Sequence, residues 1–349
     1  MHKYISKINL RNTLVAIILF SGSLLIPDFI FAQRKGKADY SLISVPEEGG
    51  INFLKITSDD DRVAEPYIKK TGFNFGKISK AVMDWWINPI IALSPDGSRI
   101  AYINNKNDMQ NIMIKSTEEG GVSIQRTFRS AVSDFTWSAD GKTLCFTEWR
   151  NKKFGIYLVN ADKGVVVQQI STATSNDLAG VLSDDGNTIY FHRGEGYSNY
   201  SLWSFDRTTN LFSNYSRGMT PCLIPGEKNS FYCTRYTDKK ECEIWKINYE
   251  TGVEEIILSQ DEHSFTSPRL SPDGKWLLIT GNSISEKSKQ PNTDLFVVRT
   301  DGSNFTQLTY HPGNDISGIW SPDGRSIYFV SQRGNAEAKY NVWKMNFNL

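Results

Sequence analysis

Histidine and cysteine are scarce in this sequence, and net charge is almost absent. Among 349 residues there are four histidines, four cysteines and a formal net charge of +1. A neutral balance without a basic stripe gives no electrostatic footing for nucleic acid, so none is expected as a partner. The cysteines are Cys145, Cys222, Cys233 and Cys242. No C-x-x-C spacing joins them, which argues against a zinc site. Export would permit a disulfide, but neighbouring strand positions offer poor geometry for one, and buried free thiols are the expectation. Also missing are a phosphate-binding G-x-x-x-x-G-K-[ST] loop, an H-E-x-x-H helix, a dinucleotide fingerprint and a G-x-S-x-G nucleophile elbow. Carboxylates are common in the expected loops, yet spacing singles out no pair. No catalytic residue is nominated, and no cofactor is implied.

No apolar run reaches the roughly 20 residues that a membrane-spanning helix needs. The stretch from Leu14 to Ile26 comes nearest, and Ser21, Gly22 and Ser23 interrupt it. Lys3, Lys7 and Arg11 precede or open it, and Ile30-Phe31-Ala32 stands before Gln33. This is the pattern of a secretory signal peptide over residues 1–32, cut after a small residue. An uncleaved anchor is the alternative. No cysteine near the cut suggests a lipoprotein. The mature chain is therefore expected in the periplasm or outside the cell, monomeric and without a transmembrane segment.

What the sequence does hold is a repeat. Ser94-Pro95-Asp96-Gly97, Ser271-Pro272-Asp273-Gly274 and Ser321-Pro322-Asp323-Gly324 are complete copies. Ser138-Ala139-Asp140-Gly141 and Ser183-Asp184-Asp185-Gly186 are close variants, and Pro225-Gly226-Glu227 is a degenerate one. The six copies recur about every 40–50 residues, which marks a repeat architecture. Pro at the second position, with Ser at the first and Gly at the fourth, suits a type I turn closing a hairpin. Two places before each anchor stand Leu93, Trp137, Leu182, Leu223, Leu270 and Trp320, as an inward-facing slot requires.

Three strands recur six times around these turns: one before, one directly after, and a third with paired apolar positions such as Ile112-Met113 and Val342-Trp343. A fourth recurs only five times. An unpaired outer edge is a liability, so the missing strand should come from elsewhere. Ile51–Thr57 resembles Phe305–Thr309 and is expected to supply it. The predicted fold is all-β: a six-bladed β-propeller of four-stranded antiparallel blades, with an N-terminal strand closing the last blade. The propeller should span 33–349, with 58–89 as an insertion between the closing strand and the first blade. Tyr40–Val45 is a further β-like run, adding to that blade or packing outside it.

These turns, with Trp-Ser-Pro-Asp-Gly at residues 320–324 and Ile-Tyr-Phe at 327–329, resemble the TolB-like propeller family, whose repeats are of WD type. The resemblance covers the propeller part only and implies that fold. It does not carry TolB's envelope role over whole, since TolB has an α/β domain ahead of its propeller. Oligogalacturonate lyases have a similar fold and use a His-rich metal site, which the resemblance makes conceivable here.

Strand order places the long loops together on the face opposite the tight turns, and loops are where function concentrates. Three features fall there. Lys106, Arg150, Arg193, Arg235 and Arg333 follow the second strands and could ring an acidic ligand, or serve a repeated structural role. His192, His263 and His311 map to the same face as candidate metal ligands, though no spacing brings them together. Trp85 and Trp86, with Phe73 and Phe75, lie in the insertion and could stack on a sugar, meet a protein, or fold back as a lid. The leading expectation is an exported, non-enzymatic scaffold binding a protein partner or a cell-envelope polymer. The alternative is a metal-assisted lyase or hydrolase acting on an acidic polysaccharide.

Overall fold

The computed structural model describes residues 39–64 and 90–348, apart from 107–108, 119, 129–130, 172–174, 196–198, 240 and 285–290. The expected signal peptide and most of the insertion, including Phe73, Phe75, Trp85 and Trp86, lie outside the described residues.

Six four-stranded antiparallel sheets follow one another as blades. Their inner strands are Ile91–Leu93, Val132–Trp137, Asp177–Leu182, Met219–Ile224, Phe265–Leu270 and Asp315–Trp320. Each packs against the next, and the sixth packs against the first, so the blades form a closed ring. Five blades are continuous in sequence. The sixth takes its outer strand, Phe53–Lys55, from the N-terminus, paired antiparallel with Asn341–Asn346. The strand shortage in the sequence is met as expected.

The repeated turn works through its side chains. In the first blade Gly97 N–H donates to Ser94 O at 2.8 Å, and Ser94 Oγ donates to Asp96 Oδ1 at 2.5 Å. Ser94 Oγ then accepts from Arg99 N–H at 3.0 Å, so one hydroxyl ties both ends of the loop. The Ser–Asp contact recurs at Ser138, Ser183, Ser271 and Ser321, at 2.5–2.6 Å. The hydroxyl holds each of these carboxyls below its ordinary range, Asp96 at about 2. Glycine closes the turn at φ near 70°, a conformation that L side chains rarely adopt. The fourth blade replaces this device with Pro225-Gly226, where Gly226 has a φ of 80°.

The apolar slot before each turn also joins blades. Trp137 Nε1 donates to Ala92 O of the preceding blade at 3.1 Å, and Trp320 Nε1 to Arg269 O at 2.9 Å. All four cysteines are buried free thiols, Cys233 pushed up to about 12 by burial. No helix among the described residues is long and apolar enough to cross a membrane.

Two segments depart from the expected pattern. Tyr40–Val45 is not a strand, because loops of the sixth blade take its carbonyls individually. Gly334 N–H donates to Leu42 O at 2.7 Å and Asn335 N–H to Tyr40 O at 2.9 Å. Residues 62–64 are built into the first blade. Ala64 N–H donates to Ile103 O, Asn105 N–H donates to Arg62 O, and Val63 bridges Asn104. They continue the short inner strand Ile91–Leu93 from a distant part of the chain.

Candidate functional site

Antiparallel order puts the second-to-third strand loops and the blade-to-blade links on one face, away from the tight turns. The five basic residues singled out in the sequence divide into two groups.

Three are engaged within the protein. Arg193 reaches Asp177 through Nε at 2.6 Å and Nη2 at 2.9 Å, with Trp203 and Phe212 beneath its guanidinium. Arg235 grips Glu254 through Nη1 and Nη2 at 2.8 and 2.7 Å and lies over Trp245. That grip holds the Glu254 carboxyl down at about 2. Arg333 is fully buried; its Nη2 meets Asp315 at 2.5 Å and Glu48 at 3.1 Å, and Phe53 lies 4.0 Å from its centre. Each cation has an aromatic floor and a carboxylate wall, which fixes it and neutralises its field. They are part of the blade interior rather than a free ring of positive charge.

Two remain at the surface, both in the first two blades. Lys106 is exposed at the end of its strand, where it pairs in register with Met109. Arg150 is exposed, touches Glu148 at 2.9 Å and lies over Tyr157. The link from the first blade to the second carries Phe128, 67 % exposed, and Met109 is 37 % exposed. Backbone contacts hold this region together. Gln110 bridges Ala131 in parallel, and Trp149 N–H donates to Ala131 O at 3.0 Å. The first two blades thus expose an aromatic ring, a thioether and two cations at their loop-rich ends. Sequence reasoning missed Phe128, in the link between blades, and Met109, the first residue of the strand Met109–Ser116; their place next to loops of the same face was the available signal.

The histidines are not brought together. His192 is buried in the third blade and its Nδ1 accepts from Thr220 N–H at 3.4 Å; burial pushes its pKa down to about 3. His263 is exposed, with Nδ1 beside Asp261 O. His311 is buried, with Nδ1 accepting from Gly313 N–H at 2.9 Å. Its Nε2 therefore carries the proton and donates to Leu42 O at 3.1 Å. Both ring nitrogens of His311 are thus committed to backbone. Among the described residues no group of three or more His, Cys, Asp or Glu is arranged to hold a metal ion.

A family model described as the TolB beta propeller domain matches residues 204–348. The Tol-Pal system protein TolB of Helicobacter pylori (strain J99) is 29 % identical over 142 residues, which is 40 % of this chain and 32 % of that protein. The match therefore spans about a third of that relative's length. In fold, the chain is similar to TolB from Acinetobacter baumannii, with a TM-score of 0.56 at 17 % identity, covering 73 % of this chain and 65 % of the other. An oligogalacturonate lyase in complex with manganese gives a TM-score of 0.56 at 12 % identity, covering 89 % and 95 %. At such identities the structural likeness speaks to fold.

Proposed function

We propose that this TolB-like six-bladed β-propeller is an exported, non-enzymatic scaffold that engages a protein partner through the loop-rich face of its first two blades. One observation carries the reading: the first two blades expose Phe128 and Met109, and also Lys106 and Arg150, at the loop-rich ends of their strands. Aromatic rings, methionine and arginine are the groups enriched at protein interfaces. Exposed cations on the same blades favour a partner segment with apolar residues and acidic neighbours. Export is part of the proposal and is supported by the leader-like pattern of residues 1–32. One relative is named Tol-Pal system protein TolB, and a role within a system of that kind is part of this proposal.

The second reading, a metal-assisted lyase or hydrolase acting on an acidic polysaccharide, draws on the likeness of fold to oligogalacturonate lyase. The internal pairing of Arg193, Arg235 and Arg333 weighs against it, because those cations are not offered to a polymer's carboxylates.

Affinity capture from native envelope material tests the proposal, with wild type compared against Met109→Ala/Phe128→Ala. The expected result is a protein recovered with wild type and lost with the double variant. Recovery of polysaccharide alone, or a protein retained equally by both, overturns it.

A further inference from the structure

Residues 40–50 cross the loops of the fifth and sixth blades as a strap. The Tyr40 ring passes so close that a Cβ at Gly313 would lie 2.8 Å from it. Glu48 ends a short 3-10 turn, Pro46–Glu48, and enters the interior. There it pairs with Arg333, which also holds Asp315, and Asp294 lies near enough to feel both carboxylates; all four are buried. Three buried carboxyls thus gather at one guanidinium, which pairs with two of them. His311 adds no charge, since Gly313 N–H occupies its Nδ1.

Arg333 contacts Glu48 and Asp315, not Asp294. Asp294 is held instead by Ser283, Gln307 and Thr309. The hydrogen count leaves room for a proton. Asn292 Nδ2 donates to His311 O at 2.8 Å, so Asn292 Oδ1 is an acceptor, and it lies 2.7 Å from Ser283 Oγ. Ser283 Oγ thus has one hydrogen for two acceptors, Asn292 Oδ1 and Asp294 Oδ2. A protonated Asp294 satisfies both contacts, donating to Ser283 Oγ while Ser283 donates to Asn292. A neutral Asp294 also relieves a buried charge imbalance that would be costly.

We propose that the strap is a latch gated by the proton on Asp294: it stays docked while that carboxyl is neutral and loosens when it ionises. Ionisation would set Asp294 against Asp315 and Glu48 with one guanidinium for all three. Tyr310, on the link into the sixth blade, also feels Asp294, together with Glu47 and Glu48 of the strap, and His311 stands next to it in the chain. Burial first, and the nearby Asp315 charge second, raise the Asp294 carboxyl well above its ordinary value. A folded-state value above the unfolded one means that the docked state is favoured at low pH and loses support as pH rises through the folded value.

Hydrogen exchange read by mass spectrometry on the full chain tests this. Peptides covering 40–50 and 332–336 would be followed at pH 5 and pH 9, corrected for intrinsic exchange, with a peptide over 143–160 of the second blade as control. In wild type, strap protection should fall at least ten-fold at the higher pH while the control holds. In Asp294→Asn, which keeps a neutral donor, it should change less than two-fold. An unchanged wild type, or an equal fall in the variant, overturns the latch. If the variant does not fold, the carboxyl carbon-13 resonance of Asp294 in wild type decides: ionised at pH 5 overturns the proposal, neutral there and titrating above supports it.

Discussion

The indole Nε1 of Trp320 donates to the carbonyl oxygen of Arg269 at 2.9 Å, stitching the sixth blade to the inner strand of the fifth. Trp137 makes the same bond to Ala92 between the second blade and the first. A residue that reads in sequence as core filling therefore also satisfies a backbone group of its neighbour. Trp320→Phe keeps an aromatic ring and removes the donor. Leaving the carbonyl unpaired should cost about 1–3 kcal/mol. Trp320→Ala should cost about 3–5 kcal/mol, since it also opens a cavity. Urea unfolding of the two variants against wild type measures both. A neutral Trp320→Phe would show that the bond adds nothing to the joint.

The ring seam offers a second test. Gly97 and Gly274 hold the same turn position at the same φ of 72°, so alanine at either meets the same backbone penalty of about 1–2 kcal/mol. Their surroundings differ. A Cβ at Gly97 would lie 3.3 Å from Pro322 Cδ, across the junction of first and sixth blades, whereas one at Gly274 would meet nothing within 4 Å. Gly97→Ala should therefore be the more destabilising of the two in thermal unfolding. Equal losses would mean that the seam yields freely.

How much of this was legible in the sequence depends on how local the cause is. The Ser-Pro-Asp-Gly turn is specified by four adjacent residues with fixed backbone needs, so six blades could be counted directly. The closing strand followed from a shortage of one strand, which is a topological argument. The basic residues were harder. Arg193 and Arg235 lie near the ends of their second strands and Arg333 just past the end of its own, and their carboxylates come from an inner strand (Asp177), an outer strand (Glu254), and an inner strand plus the N-terminal strap (Asp315 and Glu48). Glu48 and Arg333 are 285 residues apart in sequence, with no repeat signature linking them. Arg193, Arg235 and Arg333 each pack over aromatic rings, and nothing nearby in sequence revealed all of their carboxylate partners. For Phe128 and Met109 the obstacle was different: exposure, rather than residue type, is what distinguishes them.

Acid should expose the third blade through His192. Its ring is buried, and burial pushes its pKa from an ordinary 6.5 down to about 3. Between those values the unfolded chain binds a proton that the folded chain does not, so stability rises with pH there and is lost as pH falls below 6.5. At about 1.36 kcal/mol per pKa unit, the loss attributable to this one group should reach about 2 kcal/mol by pH 5. The turn carboxylates do not interfere, since their depressed values place their effect below about pH 4. Asp294 acts with the opposite sign, because its raised value makes it support the folded state as pH falls. Comparison with His192→Gln separates the two: glutamine keeps an acceptor for Thr220 N–H and cannot titrate. Urea unfolding free energies at pH 7 and pH 5 should therefore converge in the variant relative to wild type. If both proteins lose the same stability across that interval, His192 is not the group that senses acid.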